Sequence, residues 1–395
     1  MRARSLRLHF FLLYAIVGAY LPYAPVFLGR DLGLPDWQIG WVLGCYGLAV
    51  ALAPPLVAAL ADRGVSARAL VALGAALSGV ALVALAAVDG FVGALALSAA
   101  FSLAYTPMIP LLDGIVFTDM SEETRRGGRP PTYSSLRLWG SVGFMAPAFA
   151  LFYFLHAGLA SGRGAMLAGA AAAAFSLASA PLLPRHPAPP RAPRVPLAAA
   201  WSELTRPPMR ALIGALVLLF AAISVYYAFY SRLVIEVGIA PAWVGIAANL
   251  GVVAELPWLI FASILLRRSS ARSLLLLAAL CQTLRLVLLA AAPSPAIVLA
   301  TQALHGPIVL GLYLLPPMIL SQRAAPDFRH SIQGLYAAVC YGLARVLGAG
   351  VGGHAAELGL DRAFWLAAAL SALATTWLAL SWRDPQAEAS LRELA

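Results

Sequence analysis

Asp113, Arg137, Glu255, Arg285 and His305 stand inside strongly apolar stretches. Charge in hydrocarbon is costly, so such residues mark solute pathways or proton relays by default. Their types suit two jobs. A carboxylate or an imidazole exchanges protons, and a guanidinium forks onto a carboxylate through two parallel hydrogen bonds. Asp113 and Arg137 fall on neighbouring stretches and are expected to interact there, as part of a substrate site or as a structural ion pair. Arg345 reads equally as a pathway residue or a structural one. Tyr20, Tyr23, Tyr226, Tyr227 and Tyr230 read as cavity lining or as aromatic anchors at a membrane interface.

Other chemistry is excluded by what the chain does not contain. All 27 basic residues are arginine. Without lysine there is no Walker phosphate loop, no Schiff-base enzyme and no retinal protein. Cys45, Cys281 and Cys340 lie in separate apolar segments, with neither metal spacing nor a paired framework. With no zinc motif, nucleophile–base pair or extended soluble domain, neither enzyme activity nor a cofactor is expected.

The elements that hold these residues follow from composition. Of 395 residues 62% are hydrophobic and 11% charged, against about 45–50% and about 25% in soluble domains. A spanning helix needs about 20 apolar residues. Apolar spans fall near 8–29, 37–61, 69–88, 91–116, 134–156, 164–183, 211–235, 242–266, 273–292, 295–320, 332–352 and 363–382. The fold expected is therefore an all-α membrane protein of twelve transmembrane helices. The first stretch is too long for a signal-peptide core and reads as a helix.

An even span count puts both termini on one side. Taking that side as cytoplasmic, twenty arginines lie in its segments and three in the outer loops. This is a positive-inside pattern, and it accounts for the net charge of +10 without nucleic acid. The location expected is a bacterial-type inner membrane, with a monomer as the working unit. The stretch 184–210 carries eight prolines and five arginines and reads as a cytoplasmic linker. It separates an N-terminal half, 1–183, from a C-terminal half, 211–395. The halves look like repeats: GLPDWQIG (33–40) matches GIAPAWVG (238–245), and ADRGVSARAL (61–70) matches LRRSSARSLL (266–275) at nearly the same offset. Repeated halves are a mark of transporter folds, with substrate bound near the midplane.

The loop PLVAALADRGVSAR (55–68) is similar to the signature of the major facilitator superfamily. That resemblance implies that Asp62, Arg63 and Arg68 brace neighbouring helices as a cytoplasmic gate motif; Ala58 departs from the usual glycine. GAYLPYAPVFL (18–28), TPMIPLLDG (106–114), YSSLRLWGSVGF (133–144), LGVVAEL (250–256), LLRRSSAR (265–272) and LHG (304–306) resemble the phenylpropionate-permease-like branch, a relative of the lactose permease. In that permease helices 4 and 5 carry a substrate-binding acid and arginine where Asp113 and Arg137 stand, and helix 8 an acid where Glu255 stands. Its helices 9 and 10 carry an arginine and a histidine twenty residues apart, as Arg285 and His305 are. The permease's proton-carrying acid is replaced by Ile308. Its charge-paired acids and lysines become Tyr227, Tyr230, Gln302 and a position near Tyr341.

The resemblance implies a secondary transporter of a small organic solute: an aromatic or other organic acid, a sugar or a nucleoside. Proton-coupled symport by alternating access is expected, with the proton as coupling ion and Glu255 as its carrier. For an acid, Arg137 or Arg285 would hold the carboxylate. The competing readings are a proton-driven drug exporter, which favours a larger apolar cavity and fewer buried arginines, and a non-transporting membrane receptor.

Overall fold

The computed structural model describes residues 2–61, 63–129, 131–159, 161–185, 197–207, 209–323 and 329–384. Twelve helical segments are long and apolar enough to cross a membrane. They are α1 (Ala3–Asp31), α2 (Asp36–Val57), α3 (Ala67–Ala87), α4 (Phe91–Arg125), α5 (Tyr133–His156) and α6 (Gly162–Leu182), then α7 (Met209–Glu236), α8 (Pro241–Ile260), α9 (Ala271–Ala291), α10 (Pro295–Leu320), α11 (Ile332–Ala356) and α12 (Leu360–Ser381). No β-strand occurs among the described residues. Large apolar side chains such as Val80, Phe175 and Leu380 stand exposed on the helices, as hydrocarbon rather than water requires.

Two boundaries differ from the sequence expectation. The fourth helix runs to Arg125, past 116, because its polar end closes its own hydrogen bonds. Thr118, Ser121 and Thr124 each donate to the carbonyl four residues back. It stops where Gly127 takes a φ of 78°, the left-handed turn that ends helices. The linker expected over 184–210 contains a helix, Leu197–Thr205, while 186–196 and 208 lie outside the described residues.

The chain forms two compact units. Unit 1 takes 1–34, 52–192 and 240–246; unit 2 takes 35–51, 193–239 and 247–395. A cut at the linker would place 35–51 and 240–246 differently, and specific contacts explain where they fall. Within unit 2, Asp36 forms an ion pair with Arg232, and the Trp37 amide donates to Glu357 at 3.1 Å. The Trp37 ring stacks on His354. Within unit 1, Trp243 sets its ring edge-on to Phe152, 4.7 Å between centroids.

The units repeat one packing scheme. In unit 1, α1 packs on α5 and α6, and α3 on α6; in unit 2, α7 packs on α11 and α12, and α9 on α12. Glycines permit the closest approaches. A Cβ on Gly143 would meet the backbone of Phe11, and one on Gly348 the backbone of Ala221.

Candidate functional site

The densest polar cluster lies in unit 2, and a local irregularity of α10 builds it. This helix tightens to a 3-10 turn over Thr301–Leu304 and resumes as an α-helix at His305–Ile308. Pro307 supplies no backbone N–H, which favours such a break. In a 3-10 turn residues i and i+3 eclipse, so Gln302 and His305 project the same way. Both reach Arg285 on α9.

The Arg285 guanidinium is 1% exposed and has no carboxylate within ion-pair distance among the described residues. One terminal nitrogen lies 3.1 Å from His305 Nδ1. The other donates to Gln302 Oε1 at 2.7 Å and to the Tyr226 hydroxyl. Its carbon sits 3.8 Å over the Tyr226 ring, a cation–π contact. Gln302 closes the network by donating to the Tyr226 hydroxyl at 3.0 Å.

The geometry assigns the histidine tautomer. A guanidinium only donates, so Nδ1 must accept, which leaves the ring proton of a neutral imidazole on Nε2. That atom lies 3.8 Å from Glu255 Oε2 on α8, longer than a hydrogen bond but within reach of a small closing motion. Gly251, one turn before Glu255, makes the approach of α8 possible. A Cβ there would stand 2.7 Å from Gln302 Oε1 and 3.2 Å from His305 Cγ. Glu255, His305, Arg285, Gln302 and Tyr226 thus form one chain of contacts.

Tyr227 turns its ring edge-on to His305, 6.5 Å between centroids, and Tyr230 donates to the Val298 carbonyl at 3.3 Å. Arg345 on α11 lies 5.4 Å from the Tyr227 ring and 5.7 Å from the Tyr46 ring.

Asp113 and Arg137 act on each other electrostatically across α4 and α5, but not as a close ion pair. Among the described residues the two form no ion pair. Asp113 accepts from the Tyr133 hydroxyl at 2.9 Å, and Arg137 lies 4.0 Å over the Tyr14 ring. Tyr133, at the first position of α5, stacks on Phe117, which aims its hydroxyl at Asp113. Reasoning from the sequence misses Tyr133 and Tyr14. The signal available for Tyr133 is its place one turn before Arg137, on the face of α5 that the arginine shares.

Tyr20 is buried against Phe101, 4.5 Å between centroids. Tyr23 lines a separate cavity of about 430 Å³ in unit 1, with Arg30, Asp31 and His156 on its walls. Of the gate motif, Arg68 donates to the Pro181 carbonyl at 3.2 Å, Arg63 is exposed, and Asp62 lies outside the described residues. Cys45, Cys281 and Cys340 are free thiols.

Comparison with known proteins places this architecture. The chain is 29% identical to the maltose permease of Geobacillus stearothermophilus over 366 residues, covering 89% of this chain and 86% of that protein. It is 27% identical to the "Probable 3-phenylpropionic acid transporter" of Escherichia coli strain K12, covering 86% and 87%. Among solved structures, the nucleoside transporter NupG superposes with a TM-score of 0.83 at 19% identity, covering 97% of this chain and 99% of that one. That likeness is one of fold. Residues 3–367 match the model of the MFS_1 like family, and the chain belongs to that family of secondary transporters of small solutes.

Proposed function

We propose that this transporter moves a small organic solute together with protons by alternating access, and that Glu255 carries the proton. One observation carries the reading. Of the two mid-span carboxylates, Glu255 has its Oε2 3.8 Å from His305 Nε2, whereas Asp113 accepts from the Tyr133 hydroxyl. Taking up a proton at Glu255 removes a negative charge beside His305, whose Nδ1 lies 3.1 Å from Arg285, so protonation is coupled to the Arg285, Gln302 and Tyr226 network. The relatives named for maltose, 3-phenylpropionic acid and nucleosides support a small solute. The chain lies in the inner membrane with both termini cytoplasmic, as the arginine asymmetry favours, and a monomer is the working unit of this proposal.

The test uses purified protein in vesicles. With an imposed pH gradient the wild type accumulates solute. Glu255→Gln, fixed in the neutral form, keeps exchanging labelled for unlabelled solute but does not accumulate it. Gradient-driven accumulation by Glu255→Gln would remove the proton from this residue, and a wild type indifferent to the gradient would exclude proton coupling. A reporter fused at residue 395 tests the topology; a periplasmic signal overturns it.

A further inference from the structure

Unit 2 carries an arginine, Arg345, with no carboxylate within 4.0 Å among the described residues, whereas the matching arginine of unit 1, Arg137, has Asp113 acting on it electrostatically. In α5 the sequence runs Tyr133, Arg137, Gly140, with the arginine four residues after the tyrosine and the glycine three after the arginine. In α11 the same spacing recurs as Tyr341, Arg345, Gly348. These helices are repeat partners by packing, since α5 lies on α1 as α11 lies on α7. Their arginines behave alike: Arg137 sits over a tyrosine of α1, Tyr14, and Arg345 beside a tyrosine of α7, Tyr227.

The third member of the unit 1 group is Asp113 on α4, and its counterpart on α10 can be located. Both helices are irregular next to a proline: α4 breaks at Thr106–Pro107, and α10 passes from a 3-10 turn to an α-helix at Leu304–His305, two residues before Pro307. Counting six residues on from Pro107 gives Asp113; six on from Pro307 gives Tyr313. The structure supports this register. Tyr133 donates to Asp113 in unit 1, and in unit 2 the Tyr341 ring stacks on Tyr313 with 8° between planes and its hydroxyl donates to the Tyr313 carbonyl at 3.5 Å. Where unit 1 has a carboxylate unit 2 has a phenol, while the tyrosine and the arginine recur.

The consequence is a charge excess. In mid-span, unit 2 has two guanidinium groups, Arg285 and Arg345, and one carboxylate, Glu255, which lies next to His305. Arg285 has its terminal nitrogens bound to His305, Gln302 and Tyr226. Arg345 has two tyrosine rings and, among the described residues, no carboxylate within 4.0 Å. It is half-buried, as are Tyr46, Tyr227, Tyr313 and Tyr341 around it. A cation away from water needs an anion, and π-helical turns at Val309–Leu314 and Ala337–Leu343 set Tyr313 and Tyr341 beside it. Such turns gather at functional sites.

We infer that Arg345 is the anchor for a carboxylate of the transported solute, which takes the place that Asp113 fills in the other unit, with Tyr46 and Tyr227 as the walls against which the solute's body packs. This rests on the transport reading and narrows its solute to an organic anion. It moves the carboxylate contact from Arg137 or Arg285 to α11.

The test is equilibrium binding to purified protein without any gradient, so that it stands apart from proton coupling. The probes are 3-phenylpropionate, benzoate and hexanoate with their uncharged amides, alongside maltose and uridine. At least one carboxylate is expected to bind, and its amide not. Arg345→Gln should weaken that carboxylate by roughly 10- to 100-fold, as loss of a charge-assisted hydrogen-bonded contact implies, and Arg345→Lys should recover part of it. Tyr313→Asp places a competing carboxylate beside Arg345 and should weaken binding at least as much as Arg345→Gln does, while Tyr313→Phe leaves it in place. An unchanged unfolding midpoint for Arg345→Lys and Tyr313→Phe controls for folding. Binding of the neutral probes alone, or of none, overturns the inference, as does a carboxylate held equally by wild type and Arg345→Gln, or one held equally by wild type and Tyr313→Asp. Each of these leaves the coupling test on Glu255 standing.

Discussion

The two units repeat one fold, and the contrast between their ends and their middles is instructive. At one end of unit 1, Arg68 at the start of α3 reaches the Pro181 carbonyl in the last turn of α6. In unit 2, Arg272 at the start of α9 reaches the Ala379 carbonyl in the last turn of α12. The last four carbonyls of a helix have no intrahelical partner, so one requirement is met twice by one residue type. The middles diverge. Unit 1 holds its charges with tyrosines: Asp113 on the Tyr133 hydroxyl and Arg137 over Tyr14. Unit 2 places a guanidinium, an imidazole and a carboxylate in one chain of contacts. The repeat preserves the arginine contacts at the helix ends and varies the polar groups in mid-span.

The strongest way to break this contrast is to remove the buried cation from each unit. Arg285→Gln strands acceptors on Tyr226, Gln302 and His305 in a buried setting, and it should lower stability by about 2–3 kcal/mol, as loss of charge-assisted hydrogen bonds does. Arg137→Gln removes a cation–π contact from a half-exposed position and should cost about 1 kcal/mol or less. Denaturant unfolding of both variants in detergent measures the difference. Equal losses would mean that the polar middle of unit 2 is no more integrated than that of unit 1.

A weaker effect separates scaffold from site within unit 2. A Cβ on Gly306 would meet the Ala254 carbonyl at 2.7 Å and Trp258 Cγ at 2.8 Å. Backbone cannot give way cheaply, so Gly306→Ala should cost about 1–3 kcal/mol, as overpacking does. The Cβ of Gly251→Ala would instead press on Gln302 and His305, side chains that can turn aside. That variant should keep its unfolding midpoint close to wild type and lose solute accumulation. The reverse order, with Gly251→Ala unstable and Gly306→Ala inert, would put the tight helix contact at Glu255 rather than at Trp258.

Much of this is legible in the chain itself, and the gaps have physical causes. The twelve spans follow from apolar length alone. The contact of Arg285 with His305 is what the resemblance to the lactose permease implies, and the 3-10 turn of α10 aims the histidine at the arginine. Asp113 and Arg137 do not close into an ion pair because Tyr133 is long enough to reach Asp113 and Arg137 settles over Tyr14, which leaves the two charges acting at longer range. Nothing in a periodic pattern marks an aromatic ring as an intermediary. The 3-10 and π turns of α10 and α11 are equally hidden. They arise from Pro307 and from packing against neighbouring helices, which local propensity does not encode. The Tyr–Arg–Gly spacing shared by α5 and α11 is written in the sequence, but its offset differs from that of the other repeats, and only the helix packing aligns it.

The smallest expected effect sharpens the comparison at the helix ends. Arg68 makes its bond to Pro181 in an exposed position, whereas Arg272 donates to Ala379 from a partly buried one. Both place a cation against a helix C-terminus, where the dipole of the last turn favours positive charge by about 0.3–1 kcal/mol, less where solvent and salt screen it. Arg68→Gln should therefore cost only a few tenths of a kcal/mol, and raising ionic strength should erase the difference from wild type. Arg272→Gln should cost more, about 1 kcal/mol, and keep most of that loss in high salt, because burial shields the bond from screening. Parallel unfolding series at low and high salt read both. If the Arg68 variant proves the less stable of the two, the ends of the units are not equivalent, and the gate motif of unit 1 bears strain that its repeat in unit 2 has shed.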